Sequence, residues 1–296
     1  MKIERAHIII NPASGQPKPV LHTINSIFHA AGVDWKITIT KHGGDAHRSA
    51  QEAVAAGVDV IAVYGGDGTV MEVASGLIGT GAPMAILPGG TANVVSVELG
   101  IPKNLPEACK LIVNENNSVR AIDVGFSEGK YFLHRVGLGM SAEKVKGATR
   151  ELKDRFGILA YTIAGLNVLK DPPMAHYHFT LDGETIEADG ISCIVANSGN
   201  MGMQGFSMAK TVSISDGLLD VFLVRDRSIV SIASSAASVA DLTLNTDALQ
   251  HWQARDITID ATPPQSTQGD GEVWDNTPIR ISVLPHAVNV IVSPPA

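Results

Sequence analysis

The sequence has few cysteines and an excess of acidic over basic residues, which argues against disulfide-rich and nucleic-acid-binding proteins. Its two cysteines, Cys109 and Cys193, lie far apart in apolar segments, so we expect free, buried thiols and neither a disulfide framework nor a cysteine metal site. Acidic residues outnumber basic ones and give a net charge of -8. A chain of this charge lacks the basic face that nucleic-acid binding or a polybasic grip on anionic membranes needs. Nucleic acid is therefore not an expected partner.

Long apolar segments are also missing. The three isoleucines Ile8–Ile10 are too short a run for a signal peptide, and Ser228–Leu244, the longest candidate span, is interrupted by serines and Asp241. No stretch reaches the roughly 18 apolar residues that a membrane-spanning helix needs. We therefore expect a cytoplasmic protein whose contact with a membrane is peripheral and transient.

What is present is a globular composition, with 45% hydrophobic residues in a chain of 296, a length that favours two domains. The first third alternates strand and helix patterns with short connections, which predicts a Rossmann-like α/β domain with a mostly parallel sheet. Its predicted strands are Ala6–Ile10, Trp35–Thr40, Val58–Tyr64 and Met84–Leu87, and its predicted helices are Val20–Ala31, Asp45–Ala56 with Asp45 as N-cap, Thr69–Ile78, Thr91–Leu99 and Pro106–Asn114.

The pattern changes near Ile122, after which strand-like segments dominate. Asp182-Gly183 is a hairpin signal between two of them. We predict an α/β domain at 1–122, completed by 285–296, and a mainly antiparallel β-sandwich domain at 123–284. The predicted strands are Ile122–Ser127, Tyr131–Val136, His176–Leu181, Ile191–Asn197, Leu218–Val224, Ile257–Asp260 and Ile279–Val283, with helices at Leu152–Leu169 and Ile229–Leu242.

The strongest chemical signal is the run Gly65-Gly66-Asp67-Gly68-Thr69, between an apolar strand and a helix. Glycines there allow positive φ and close approach of the backbone to a ligand, and the amides at a helix N-terminus suit a phosphate. An aspartate in such a loop needs a donor or a cation, such as a Mg²⁺-bound water or a ribose hydroxyl. A plain strand–turn–helix connection is the alternative interpretation.

A second glycine-rich segment, Leu87–Asn93, lies at the end of a predicted strand. In an open α/β sheet, ligands bind beyond the carboxyl ends of the strands. The turn Asn11–Gly15 and Thr40 are expected at that same edge. Three glycine-bearing turns at one rim make a binding site the better interpretation. No GxGxxG follows the first strand, which argues against a dinucleotide-dependent dehydrogenase.

The segments NPASG, GGDGTVMEVASGL and LPGGTANVV, in this order, resemble the nucleotide-binding domain of the diacylglycerol kinase and sphingosine kinase superfamily, and the bacterial lipid kinases above all. NAD kinases are more distant relatives that share the GGDG loop. The resemblance continues through FLHRVGLGMSA and SDGLLDV to DGE, so that it covers nearly the whole chain. It implies an ATP- and Mg²⁺-dependent kinase acting on a lipid hydroxyl.

The resemblance also implies roles for individual residues. Asp216, with the carbonyls of Leu218 and Ser213, matches a structural Mg²⁺ site, for which oxygen-only ligands are suitable. The positions that match ATP-contacting residues or lie on the same loops are Asn11, Thr40, Gly65, Gly66, Asp67, Gly68, Thr69, Val70, Met71, Gly89, Gly90, Thr91 and Asn93.

The triplet Asp270-Gly271-Glu272 matches the position of the family's catalytic acid residue. In an extended segment its two carboxylates would share one face, and their like charges would raise the pKa of one of them, as suits a base. We take Glu272 as the base with Asp270 as support, and the choice between them stays open. Asp182-Gly183-Glu184 is a twin triplet that reads as a hairpin turn; we prefer the later one because the family places its base near the C-terminus.

The sequence departs from the family pattern at Met71, at Val94-Val95 and at Ser198, which leaves open which lipid is the acceptor. An NAD-kinase-like enzyme and a catalytically silent nucleotide- or lipid-binding regulator remain alternatives. The expected partners are ATP and a lipid substrate, and dimerisation is left open. The ten histidines show no metal-ligand spacing.

Overall fold

The computed structural model describes residues 1–14, 19–139, 173–199, 212–226 and 248–294. The chain forms two compact units, Met1–Ile122 with His286–Ala296, and Asp123–Pro285. The strands Ser118–Ser127 and Ile279–Val292 each contribute residues to both units. The helices predicted at Leu152–Leu169 and Ile229–Leu242 lie outside the described residues.

The helices and strands of the described residues have the following bounds. Those of the first unit begin with β1 (Arg5–Ile10), α1 (Val20–Ala30), β2 (Asp34–Ile39), α2 (Asp45–Ala55), β3 (Val60–Gly65), α3 (Asp67–Leu77), β4 (Pro83–Pro88), α4 (Val94–Glu98) and α5 (Leu105–Val113). The chain continues with β5 (Ser118–Ser127), β6 (Lys130–Phe132), β7 (Arg135–Leu138), β8 (Ala175–Leu181), β9 (Glu184–Gly190), β10 (Ser192–Ala196), β11 (Leu219–Val224), β12 (Leu249–Ala254), β13 (Asp256–Thr262), β14 (Thr267–Gly269), β15 (Glu272–Val273) and β16 (Ile279–Val292).

The first unit is built on a parallel sheet in the order β2-β1-β3-β4, with the end of β16 parallel to β4. In register, Ile10 lies opposite Ile39 and Tyr64, and Tyr64 lies opposite Leu87. The carboxyl ends of four strands therefore meet at one edge of the sheet. The predicted α/β domain with a mostly parallel sheet is confirmed.

Helices cover this sheet on both faces, which is why its strands are continuous apolar runs. Every residue of β3 is buried. Ile8 and Ala62 pack with Phe28 of α1 and Cys109 of α5 in one core cluster. The alternate residues of the same strands point to the other face, where α2 and α3 contact β1, β3 and β4. Each large apolar side chain buried there stabilises the fold by about 1.5–3 kcal/mol.

The second unit consists of antiparallel strands in two sheets. One contains the start of β16, then β13, β8 and β9, and the other has the order β12-β11-β10-β7-β14-β15. Tyr177 and Phe179 of the first sheet share a core cluster with Val136, Val195 and Val221 of the second. Side chains of two facing sheets therefore form one core, and the predicted antiparallel second domain is confirmed.

Several local predictions were wrong. Asp45 is the first residue of α2 rather than its N-cap; Gly44 takes that place with φ of 82°. The helix predicted at Thr91–Leu99 is only Val94–Glu98, because Asn93 adopts a left-handed φ of 48°. The strands Glu184–Gly190 and Leu249–Ala254 were missed, since polar residues interrupt their apolar pattern.

The structure also bears on the cysteines and on membrane-spanning helices. Cys109 and Cys193 are free and buried, as predicted. Among the residues that the structure describes, no helix is both long enough and apolar enough to cross a bilayer.

We expect Phe179→Ala to lower the free energy of unfolding by about 3–5 kcal/mol, because it removes a fully buried ring. That ring lies 5.7 Å from the centroid of Tyr177 and 5.5 Å from that of Trp252. Chemical denaturation followed by tryptophan fluorescence measures the loss. Phe126→Ala, at a half-buried ring, is the control and should cost clearly less; equal losses would contradict the packing described.

Candidate active site

The turn after β1 is tied to the loop after β3. The backbone N–H of Asn11 donates to the Tyr64 carbonyl at 2.9 Å, and its side-chain amide donates to Thr69 Oγ1 at 2.9 Å. The Gly66 N–H donates to Ser14 Oγ at 3.3 Å. These hydrogen bonds hold the first turn against the start of α3, at the carboxyl edge of the sheet.

The two glycine loops, after β3 and after β4, lie directly against each other. A Cβ on Gly90 would come within 2.6 Å of the Gly66 Cα, and the Gly89 N–H donates to the Gly65 carbonyl at 2.9 Å. None of Gly65, Gly66 and Gly68 has a positive φ, so the expectation that the glycines of this run serve left-handed conformations was wrong; Gly89 and Gly90 also have no positive φ. Gly90 is required because a Cβ there would meet the backbone of the other loop, and Gly65 because its Cβ would meet the Thr69 side chain at 2.6 Å; a Cβ on Gly66 would make only an ordinary contact.

Asp67 links the same two loops. Its Oδ1 accepts a hydrogen bond from the Val94 N–H at 2.7 Å. Asn93, which precedes Val94, accepts from the Gly90 N–H at 2.9 Å and donates to the Gly90 carbonyl at 2.7 Å. An aspartate in this loop was expected to need a hydrogen-bond donor. For its Oδ1, that donor is a backbone amide of the neighbouring loop.

A pocket with a volume of about 510 Å³ opens at this rim. This size lies within the range of small-ligand pockets. Three residues predicted to bind the nucleotide, Asn11, Thr40 and Thr69, line it. Sequence reasoning missed Lys41 and Glu72, which also line it; the signal for Lys41 was its place directly after a strand end.

The loop between β2 and α2 forms one wall of the pocket and is held by two carboxylates. Glu72 Oε2 accepts from the Gly44 and Ala46 amides at 3.0 and 3.2 Å. Asp45 Oδ2 accepts from the Lys41 and His42 amides, both at 2.8 Å, and these hydrogen bonds lower the pKa of Asp45. The wall that carries Lys41 and His42 is therefore a fixed turn.

The other predicted nucleotide-binding residues are not part of the pocket lining. Val70 has a buried side chain, and its N–H donates to the Gly66 carbonyl at 3.0 Å. Gly68 is exposed, and a Cβ there would have no atom within 4 Å. The amides of the first helical turn have no acceptor within their own helix, and the helix dipole makes that end attractive to an anion. The remaining members of this set are Gly65, Gly66, Asp67, Met71, Gly89, Gly90, Thr91 and Asn93.

In the second unit, Asp270 and Gly271 form the two-residue turn between β14 and β15, with φ of 44° and 96°. The expectation of an extended segment with two neighbouring carboxylates was wrong. The Asp270 carboxylate instead accepts from three backbone amides, of Leu133 at 2.7 Å, His134 at 3.1 Å and Arg135 at 3.0 Å. Asp270 is therefore a structural acceptor that fixes the turn before β7.

Glu272, the first residue after this turn, is exposed, and its side chain has no hydrogen-bond or ion-pair partner among the described residues. Trp274 anchors the hairpin beneath it: a Cβ on Gly269 would meet the Trp274 ring at 2.1 Å, and that ring packs edge-on against Phe132. Val273, beside Glu272, is 82% exposed. The structure thus presents one carboxylate and one apolar side chain on a rigid hairpin.

The twin triplet has the same local structure. Asp182 and Gly183 have φ of 49° and 94° and join β8 to β9. Asp182 Oδ1 accepts from the Arg255 and Asp256 amides at 2.9 and 2.8 Å. The aspartate of each triplet holds a neighbouring turn, and local geometry alone does not separate Glu184 from Glu272.

The predicted metal ligands lie on the turn before β11. The Asp216 carboxylate accepts from the Leu218 N–H at 3.1 Å, and the Asp123 carboxylate accepts from the Gly217 N–H at 2.7 Å. Burial raises the pKa of Asp216, and the carboxylates of Asp220 and Asp123 raise it further. Asp220 is fully buried, and its Oδ2 has no hydrogen-bond partner in the described part of the chain. Ser213 lies on the same turn.

The chain matches the family model of the diacylglycerol kinase catalytic domain over residues 5–126. It matches the YegS C-terminal NAD kinase beta sandwich-like domain over residues 134–292. The protein belongs to the diacylglycerol kinase catalytic-domain family. The diacylglycerol kinase of Bacillus subtilis (strain 168) is 27% identical, over 98% of this chain and 96% of its own length.

Other similar proteins support the same family. The uncharacterized protein sll0036 of Synechocystis sp. is 30% identical, over 98% of this chain and 70% of its own length. A crystal structure of a diacylglycerol kinase from Bacillus anthracis str. Sterne has a TM-score of 0.78 at 30% identity, covering 99% of this chain and 98% of that one. A crystal structure of a putative diacylglycerol kinase from that strain has a TM-score of 0.85 at 31% identity, with the same coverage.

Departures from the diacylglycerol kinase pattern lie mostly in buried positions. Val94 and Val95 begin α4 and are 7% and 1% exposed, so they alter its packing rather than the open rim. Ser198 is also buried, and its N–H donates to the His134 carbonyl at 3.3 Å. Met71 is partly exposed. The contact between the two glycine loops is unaffected by these changes.

We expect Gly90→Ala to lower the free energy of unfolding by about 1–3 kcal/mol, because its Cβ would meet backbone rather than a movable side chain. Gly68→Ala is the control: its Cβ points into open space in a helix, where alanine is favoured by about 0.5–1 kcal/mol. Urea denaturation measures both. If the two variants lose equal stability, the close approach of the loops is not a constraint.

Proposed function

We propose that this protein is an ATP- and Mg²⁺-dependent lipid kinase that transfers the γ-phosphate of ATP to a hydroxyl of diacylglycerol or a related lipid. The observation that carries the proposal is the contact between the loops of Gly66 and Gly90 at the sheet rim, in a chain of the diacylglycerol kinase family. That contact makes a surface of peptide groups beside the start of α3.

The triphosphate is proposed to lie along this surface. Amides at the start of α3 donate to phosphate oxygens, and exposed Gly68 lets them approach. The pocket beside it takes the rest of the nucleotide against Thr40 and Asn11, where Lys41 adds a positive charge. The Mg²⁺ that accompanies ATP neutralises charge on the phosphates.

Glu272 is the proposed base. The lipid hydroxyl oxygen forms a bond to the γ-phosphorus while the bond from that phosphorus to the ADP oxygen breaks, and Glu272 accepts the hydroxyl proton. Asp270 does not suit this role, because both its oxygens accept backbone hydrogen bonds. The sequence left this choice open, and the hydrogen bonds favour Glu272.

An exposed apolar side chain next to Glu272 supports a lipid as the phosphate acceptor. Val273 is the most exposed of the large apolar side chains in the described residues, at 82%, and it adjoins the proposed base. An apolar side chain that water contacts in the free protein can contact an acyl chain when the acceptor is bound. Reaching such an acceptor requires transient, peripheral contact with a membrane.

A structural Mg²⁺ is proposed at Asp216, with the carbonyls of Ser213 and Leu218. The residues fit this ion: the donors are all oxygens, and the charges of the Asp220 and Asp123 carboxylates act on Asp216 and raise its pKa. Asp220 is buried; its Oδ1 contacts His251 Nε2 at 2.6 Å, and its Oδ2 has no partner among the described residues. A bound ion there would fix the turn before β11.

We expect Glu272→Gln to reduce phosphoryl transfer to lipid by about 10²–10⁴-fold while leaving ATP affinity unchanged, because only the proton acceptor is lost. Radiolabelled ATP with mixed micelles of diacylglycerol measures transfer as label in the organic extract. Nucleotide affinity is measured separately by calorimetry.

Glu184→Gln is the matched control, since Glu184 follows an identical turn in the twin hairpin. It should leave transfer unchanged. Full activity of Glu272→Gln would remove that residue from the mechanism. Label in NADP when NAD is offered would favour the NAD-kinase alternative, and nucleotide binding without any labelled product would favour the silent regulator.

We expect Mg²⁺ alone to raise the melting temperature of the wild type and not that of Asp216→Asn, since binding to the folded state stabilises it by about 2.7 kcal/mol at a hundredfold excess over Kd. Differential scanning calorimetry without nucleotide measures the shift. Asp34→Asn, at an exposed carboxylate of the other unit, is the control and should respond like the wild type. An undiminished shift in Asp216→Asn would exclude Asp216 as a ligand.

A further inference from the structure

A cluster of two histidines and two carboxylates lies on the outward face of the β8–β9 hairpin. In the antiparallel register, His176 pairs with Asp189 and His178 pairs with Glu187. The alternate residues of these strands, among them Phe179, pack into the core, so the period of two places all four polar side chains on the other face. β9 ends the described strand order of its sheet, so the cluster sits at a sheet edge.

The side chains of the cluster converge on one another. His176 Nε2 lies 3.6 Å from Glu187 Oε2, and His178 Nδ1 lies 3.3 Å from Glu187 Oε1. One ligand atom of each of these three residues falls within 4.8 Å of the other two. Side chains that are 42–58% exposed can rotate, so small adjustments bring the three atoms to about 2.0–2.2 Å from a common ion.

Asp189 orients one of the two rings. The Nδ1–H of His176 donates to Asp189 Oδ1 at 2.7 Å, which leaves the Nε2 lone pair directed toward Glu187. A carboxylate that holds the far nitrogen of a ligating histidine is the usual second partner in metal sites. The carboxylates of Asp189 and Glu187 bring negative charge to the two rings, which suits a cation.

We propose that His176, His178 and Glu187 bind one divalent transition-metal ion, of which Zn²⁺ is the representative, with Asp189 as a positioning residue. Imidazole nitrogens favour such ions over Mg²⁺ and Ca²⁺, which take oxygen ligands. The site is thus distinct in chemistry from the one at Asp216. A bound ion would join β8 to β9 and pin the edge strand.

Metal binding by the full chain, after chelator treatment and dialysis, tests the proposal without any kinase assay. Calorimetric titration with ZnCl₂ should show a site with a stoichiometry of one that is lost in His176→Ala and in His178→Ala. Asp189→Asn should retain the site but weaken it by about 10–100-fold, because it removes only the orienting partner. Circular dichroism confirms that each variant is folded.

His22→Ala and Glu184→Gln are the controls: the first removes an exposed histidine elsewhere, and the second an exposed carboxylate of the same strand. Both should bind Zn²⁺ as the wild type does. Absence of a stoichiometric site in the wild type would overturn the proposal. So would a site that survives both histidine substitutions, or one that disappears in Asp216→Asn.

Discussion

The rim of the N-terminal unit depends on how closely two backbones approach each other at Gly66 and Gly90. Adjacent parallel strands deliver both loops to the same edge, and a methyl group on Gly90 would lie 2.6 Å from the Gly66 Cα. The Asp67 carboxylate accepts a hydrogen bond from the Val94 N–H and so joins the two loops. The Gly66 and Gly90 amides donate to the Ser14 and Asn93 side chains, which holds both loops in place. The amides at the start of α3 then meet a ligand from a fixed position, and a fixed position is what stabilises a transferring phosphoryl group.

The two Asp-Gly-Glu triplets separate structural from chemical roles. In each, the aspartate adopts a left-handed φ, and its side chain accepts hydrogen bonds from backbone amides of a neighbouring turn. These amides belong to Leu133–Arg135 for Asp270 and to Arg255 and Asp256 for Asp182. The following glutamate is exposed in both. What distinguishes Glu272 is its neighbour Val273 and its position in the family pattern, so its role rests on surroundings rather than on turn geometry.

The elements with strong apolar patterns could be predicted from the sequence, and those set by side-chain contacts could not. The buried runs of β3 and β4 fix the parallel sheet and hence the rim. The helix predicted from Thr91 begins only at Val94, because the side chain of Asn93 exchanges two hydrogen bonds with the Gly90 backbone, a contact that the apolar pattern does not reveal. Likewise, sequence reasoning found no metal-ligand spacing among the histidines and missed the alternate pair His176 and His178, which meets Glu187 only through the register of β8 and β9.

The central claim is that the peptide groups of the two glycine loops hold the phosphates of a nucleotide. A crystal structure of the protein soaked with a non-hydrolysable ATP analogue and Mg²⁺ tests it most directly. The account predicts phosphate oxygens within hydrogen-bond distance of the amides at the start of α3 and beside Gly90. Phosphates bound at another place, with this rim empty, would contradict it.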